Sequence, residues 1–146
     1  MKRILELIVS TSILCDDLHY SSNGANFYSL HLLADRIKDP FSKFMDELRE
    51  AYYLGELFTV PPKTDEIYSE AIKISSGIRT ANPSGDVNTS NLLSVKDALN
   101  RLIHMISEVK RSSSMLSGTE SILDSITAHS QTMFGLVERI TTTVKA

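Results

Sequence analysis

The sequence predicts an all-α fold: a bundle of four long helices, with a long crossover between the second and third that carries a short extra helix. Three observations predict it. Apolar residues recur at three- and four-residue spacing over four long stretches, and no stretch alternates convincingly as a strand would. The connections between those stretches read short, long, short, which suits second and third helices that run parallel. The 146 residues, 42% apolar and 23% charged, include six Gly, four Pro and no low-complexity block. That is the size and mix of one domain, 1–146, able to bury a core of its own.

The first helix rests on Ile4, Leu7/Ile8, Thr11, Leu14/Cys15 and Leu18, an amphipathic period. Met1-Lys2-Arg3 before an apolar run imitates a secretory signal, but Glu6 interrupts the run and bulky Leu14 stands where a signal peptidase needs a small residue. The segment therefore reads as part of the mature fold, and it is too short and too polar to span a membrane. Ser21-Ser22-Asn23-Gly24 is a cluster of turn formers, and Asn26 is placed to cap a second helix from Phe27 to about Leu54, ended by Gly55. Its stripe is Phe27, Leu30, Leu33/Ala34, Ile37, Phe41, Phe44/Met45, Leu48 and Tyr52. Pro40 lies inside it, and because the stripe continues in phase past the proline, a kink is expected there rather than a break.

Pro61-Pro62 and Asn82-Pro83-Ser84-Gly85 bracket the crossover, whose small helix is marked by Ile67, Ala71 and Ile74. Leu92, Val95, Leu99, Leu102/Ile103, Ile106 and Val109 mark the third long helix. Ile122, Ile126, His129, Met133, Leu136/Val137 and Ile140 mark the fourth, after Ser112-Ser113-Ser114 to Gly118.

Charge and cysteine exclude several classes of function. Eighteen acidic against fifteen basic residues give a net charge of −3, which offers no broad cationic field for nucleic acid. Cys15 is alone, so neither an intrachain disulfide nor a zinc knuckle can form, and a reducing, cytoplasmic setting is expected. It reads as a small buried hydrophobe.

Chemistry concentrates in the first two helices, in His19, His31, Asp35, Asp46 and Glu50, all of types that ligate divalent metals. His31 and Asp35 are four residues apart and share a helix face, as do Asp46 and Glu50, and the eleven residues from 35 to 46 make about three turns. One face thus shows four donors. They cannot serve one metal within one chain, because eleven residues rise about 16 Å whereas metal–ligand bonds are about 2 Å. A two-fold axis brings them together: the pairs 31/50 and 35/46 are both centred between Pro40 and Phe41. Two copies of the helix packed antiparallel about that point would set His31 and Asp35 of one chain against Glu50 and Asp46 of the other, with His19 supplied from the end of the first helix. Any one such pair, taken alone, is usually no more than a solvated helix face.

Leu18-His19-Tyr20, Gly24-Ala25-Asn26-Phe27 and Leu30-His31, followed by Asp35, Asp46, Glu50, Leu54-Gly55 and Pro61, resemble the ferroxidase motif of the Dps family of mini-ferritins, whose fold is the ferritin-like four-helix bundle. The motif covers about residues 18 to 61, and helix order resembles the family over nearly the whole chain. The resemblance implies a homo-oligomeric shell of twelve subunits built from two-fold dimers, with a two-iron site at each dimer interface. His19, His31 and Asp35 would come from one subunit and Asp46 and Glu50 from its mate. Fe(II) would be oxidised there by hydrogen peroxide or oxygen, and ferric mineral stored inside. The alternative is a ferritin-like structural or interaction module without turnover. A carboxylate-bridged oxygenase bundle is disfavoured, since the chain has no Glu-x-x-His pair.

The chain departs from the family in three places. Tyr20 stands where Trp is common and is a candidate residue beside the site. Ala51 follows Glu50 where Arg is common, with Arg49 before it. Pro40 sits at the expected dyad. DNA binding through a basic tail is not expected, because Thr143-Val144-Lys145-Ala146 holds one lysine. Glu120 and Asp124 suit either an acidic iron-entry pore, as the resemblance implies, or the dipole of the helix they begin. His104 and Glu108 read as a solvated face, and His129, on an apolar stripe, as packed.

Overall fold

In the computed structural model, which describes the backbone of residues 1–145 and the side chains of residues 1–142, five helices carry the fold. They are α1 (Lys2–Ser21), α2 (Phe27–Leu48), α3 (Thr64–Ala81), α4 (Val87–Ser112) and α5 (Ser117–Lys145), and the described residues contain no strand. α1 packs against α2, α3 and α4, while α5 packs against α4 and α2. The architecture is an all-α bundle.

α1 is the axis of the molecule. An amphipathic helix was expected, but every residue from Ile4 to Thr11 is buried, together with Leu14, Cys15 and Leu18. The periodic stripe explains burial against α2 and α4; the rest follows from α3, which covers the opposite face. Two hydroxyls keep this all-round burial compatible with polar side chains. Ser10 Oγ lies 2.8 Å from the Glu6 carbonyl and 3.1 Å from that of Ala71 on α3, and Thr11 donates to the Leu7 carbonyl at 2.7 Å. Glu6 is buried as well, reached by Arg3 at 3.3 Å.

The crossover helix is not short. α3 has 18 residues, about 27 Å of helix at 1.5 Å per residue. Ile67, Ala71, Ile74, Ser75 and Ile78 form its buried stripe, so the apolar period runs through Ser75-Ser76-Gly77, which reads as loop by composition. Asp65 and Glu66 in its first turn and Arg79 in its last complement the helix dipole. Ion pairs fix its direction: Lys2 and Arg3 at the start of α1 meet Glu66 and Glu70, at 3.9 and 3.7 Å, and Asp17 near its end meets Arg79 at 2.6 Å. α3 therefore runs parallel to α1 for nearly its whole length.

That run returns the chain to the end of the bundle where α2 began. Asn23, in the α1–α2 turn, and Asn88, in the first turn of α4, exchange hydrogen bonds of 2.9 and 2.7 Å. At the opposite end Glu56 accepts from the Leu116 N–H and the Thr119 hydroxyl. α2 and α4 thus run parallel, as the short, long, short pattern predicts. α4 is capped by Asp86, which accepts from both the N–H and the hydroxyl of Thr89.

α2 passes through Pro40 without interruption, burying Leu30, Leu33, Ala34, Ile37, Phe41, Met45 and Leu48. Proline removes the hydrogen bond to the carbonyl of Arg36, but Arg36 is on the exposed side, where that carbonyl can be hydrated. The α-helix then ends at Leu48, six residues before the expected Leu54. Arg49–Leu54 instead form a π-helical turn, and the Gly55 N–H donates back five residues to the Glu50 carbonyl at 2.8 Å. Gly55 permits this closure because a Cβ there would lie 2.9 Å from the Ala51 carbonyl oxygen.

Candidate metal centre

The turn between α1 and α2 builds the site. Ser22 donates to the Leu18 carbonyl at 2.6 Å, Asn23 is anchored on Asn88, and Gly24 takes φ +77°, a left-handed conformation that glycine adopts without steric cost. Residues 24–26 form one 3₁₀ turn before α2 starts at Phe27. Asn26 marks that start as expected, but its side chain makes no capping hydrogen bond. The reversal lays the first turns of α2 beside the last turn of α1.

His19, His31 and Asp35 come together there, each half-buried, with one donor atom apiece lying within 4.8 Å of one another. The two imidazoles stack with ring centres 3.6 Å apart and planes 29° off parallel. His31 Nδ1 lies 3.1 Å from the His19 carbonyl. A carbonyl only accepts, so this hydrogen bond puts the proton on Nδ1 and leaves Nε2 with a lone pair in the neutral ring, an arrangement that orients metal-binding histidines.

His19 Nδ1 is 3.0 Å from Asp35 Oδ1, yet the two are not aligned for a hydrogen bond, and this buried nitrogen has no hydrogen-bond partner. A buried ring nitrogen left unsatisfied beside a carboxylate oxygen is costly unless a proton or another cation lies between them. Donors on one metal with bonds of about 2.1 Å stand about 3 Å apart when adjacent. The His19–Asp35 separation already has that value, and the three donor atoms together lie within 4.8 Å of one another. Two imidazoles and a carboxylate suit Zn(II), Fe(II) or a related borderline cation.

Asp46 and Glu50 stand apart from this cluster. Both are exposed, Asp46 near the end of α2 and Glu50 in the π-helical turn, and the rise of the helix puts Asp46 about 16 Å from Asp35. The single chain therefore gathers three of the five expected donors and leaves two on the surface.

The neighbours of the cluster are aromatic. Tyr20, 76% exposed, sets its ring edge-on to His19 at 4.4 Å, and Phe27, one turn before His31, tilts against it at 5.5 Å. Phe27, on the apolar stripe and in the Gly24–Phe27 turn motif by sequence, is 40% exposed rather than core, and its four-residue offset from His31 is the signal for the contact.

The remaining candidates sort clearly. His129 is packed as expected, its Nε2 2.9 Å from the Ile37 carbonyl and its ring edge-on to Phe41. His104 and Glu108 are exposed. Cys15 is fully buried, and burial pushes its thiol well above the usual range. Glu120 and Asp124 are exposed and both pair with Lys110 at the end of α4; the hydrogen bond to Asp124 raises the Lys110 ammonium above its ordinary value. A cleft of about 630 Å³ is lined by Asn26, Leu30, Asp86 and Arg139 and by none of the three clustered donors. No helix among the described residues is long and apolar enough to cross a membrane.

No protein-family model, curated protein or solved structure matches this chain, so what it does has to be read from its own residues.

Proposed function

We propose that the chain is a Dps-like mini-ferritin, a ferritin-like bundle in which Fe(II) is the substrate of a ferroxidase site shared between two copies. The observation that carries the reading is the convergence of His19, His31 and Asp35 at the α1–α2 crossing, with an unsatisfied buried nitrogen on His19 and a free Nε2 on His31. The continuous helix through Pro40 supports the second half of it, because the antiparallel pairing of two α2 helices needs an unbroken face from His31 to Asp46. Asp46 and Glu50 of the mate would then complete each site.

The chemistry follows from the donors. Carboxylates favour the ferric product over the ferrous substrate, since a harder and more highly charged ion gains more from anionic oxygen. Two Fe(II) ions held together each give one electron to a single hydrogen peroxide; its O–O bond breaks, two protons are taken up and two waters leave. No hydroxyl radical is released. Ferric ion would pass to a mineral inside a dodecameric shell, and Glu120 and Asp124 are the candidates for its entry pore, although Lys110 offsets part of their charge. Neutral imidazole is required throughout, so binding weakens as the histidines protonate.

The rival reading, a ferritin-like structural or interaction module without turnover, draws on the His31–His19 hydrogen bond, which ties α2 to α1 with or without metal. A stopped-flow measurement separates them. Protein purified without metal is given Fe(II) anaerobically, then peroxide, beside His31→Ala/Asp35→Ala. Fast ferric absorbance with iron kept soluble, absent from the variant, is the expected result. Equal traces from two folded proteins would reject the ferroxidase.

A further inference from the structure

The large apolar side chains left in water are unevenly spread. Among the described residues there are twelve, and ten of them lie between Tyr20 and Ile72, from the end of α1 to the middle of α3; the other two are Val87 and Leu116. Apolar surface gathered in this way marks an interaction site, whereas scattered single residues do not.

Along α2 the arrangement has a centre. Tyr28 is exposed, lies seven residues before Asp35 and shares its face. Leu54 is exposed as well and closes the π-helical turn that carries Glu50. The donors are thus flanked by apolar side chains at both ends. Positions 27 and 54 are centred between Pro40 and Phe41, the same point that relates 31 to 50 and 35 to 46. Two antiparallel copies paired about that point would set Leu54 of one beside Phe27 and Tyr28 of the other.

Backbone geometry holds out one more apolar side chain beyond Leu54. Phe58, alone among the described non-glycine residues, has a positive φ, +54°, which is strained for a bulky side chain, and it is 85% exposed. The N–H groups of its neighbours Leu57 and Thr59 donate back to the Tyr52 and Tyr53 carbonyls at 2.9 and 2.7 Å, so the loop stays folded against the end of the π-helical turn. Strain that leaves an aromatic ring in water points to a contact outside the chain.

We propose that Leu54 and Phe58 form a clasp that closes on Phe27 and Tyr28 of a second copy of this chain, twice in each two-fold pair. The clasp rests on the shared-site reading, whose dyad it uses, and supplies the surface that holds two copies in register. Because Phe27 packs on His31, the clasp also brings the mate's apolar side chains to the edge of the metal centre.

Disulfide trapping tests the register. Tyr28→Cys/Leu54→Cys, kept with glutathione disulfide, should give a covalent dimer on non-reducing gels. Neither single variant should, because like positions lie at opposite ends of the pair and Cys15 is fully buried. Phe58→Gly relieves the left-handed backbone while deleting the ring, and should weaken self-association in sedimentation by about tenfold or more, the loss expected of a buried aromatic anchor. Leu54→Ser should act in the same direction, and circular dichroism should show both variants as helical as wild type. If wild type is an oligomer that oxidises iron and both variants associate as tightly, the clasp falls and the shared site stands. A folded double-cysteine variant that does not cross-link overturns the clasp as well. A monomeric wild type overturns both, and Phe58-dependent binding to phosphatidylcholine vesicles would then assign the loop to a lipid surface.

Discussion

On either side of Pro40, α2 and the π-helical turn that follows it carry two of the five expected metal donors each, and treat them differently. Before Pro40, His31 and Asp35 are half-buried against His19 of α1, close enough to share a cation. After it, Asp46 and Glu50 are exposed, and the backbone leaves the α-helix at Arg49 for a π-helical turn. What separates the halves is the neighbour each one meets. The first half lies beside the last turn of α1, which carries His19; the second lies beside Ile8, Val9 and Ser12 of α1, which have no donor suited to a divalent cation. Donor residues alone do not make a site: a second surface must bring the complementary ligands, and for Asp46 and Glu50 the proposed surface is another copy of the chain.

The largest expected effect breaks the assembled half. His31→Ala/Asp35→Ala should lower peroxide-driven Fe(II) oxidation by at least about 100-fold, since even residues that merely orient metal ligands are worth about 10- to 100-fold. Stopped-flow absorbance reads it.

Next comes stability, which should follow the inward stripe of α2 and ignore the outward one. Ile37 is fully buried, and Ile37→Ala should cost about 2–5 kcal/mol in urea unfolding. Leu32, 49% exposed, should cost less than about 0.5 kcal/mol when cut to Ala. Leu32 lies on the face that would meet a second α2, so sedimentation of Leu32→Ala should show weaker association at unchanged fold stability. Equal losses at the two positions would erase the distinction between the stripes.

A smaller effect isolates the second half. Gly55→Ala places a Cβ 2.9 Å from the Ala51 carbonyl oxygen, an overpacking of the kind that costs about 1–3 kcal/mol. Chemical shifts at Glu50–Leu54 should move while those at His19 and His31 stay. Shifts spread over both halves would mean that the turn and the donor cluster form one unit.

The smallest is a pH effect at the start of α4. The Thr89 hydroxyl and then its N–H hold the Asp86 carboxyl below its ordinary 3.8. A carboxylate with a depressed folded value contributes stability above its unfolded value and loses it as pH falls through the folded one. Wild type should therefore lose stability faster than Asp86→Asn from about pH 4 downward, read by thermal melts across that range. Parallel curves would remove the cap from the account.

Where the residues themselves mark the structure, sequence was enough to find it. The stripe Ile37, Phe41, Met45, Leu48 runs in phase past Pro40, and the helix indeed continues. The turn at Ser22-Asn23-Gly24 and the start of α2 at Phe27 are equally legible, because backbone chemistry dictates both. Three features were not legible. The full length of α3 hides behind Ser75-Ser76-Gly77, whose helical state depends on packing along α1. The all-round burial of α1 is invisible to a periodicity that reports one face at a time. The π-helical turn changes backbone register without changing the apolar period, so Tyr52 and Leu54 look α-helical. For the site, the spacing of His31 and Asp35 put them on one face, but only the folded turn sets His19 against them. The partner proposed for Asp46 and Glu50 lies outside a single chain.

The shared site is the central claim, and mixing tests it most directly. Asp35→Ala and Asp46→Ala should each be inactive as ferroxidases alone. In verified mixed dimers, one of the two sites at the interface would lose both residues and the other would recover both, so activity should return to about half the wild-type rate per dimer. Inactivity in mixed dimers shown to be folded and to contain both chains would contradict a site built across two copies.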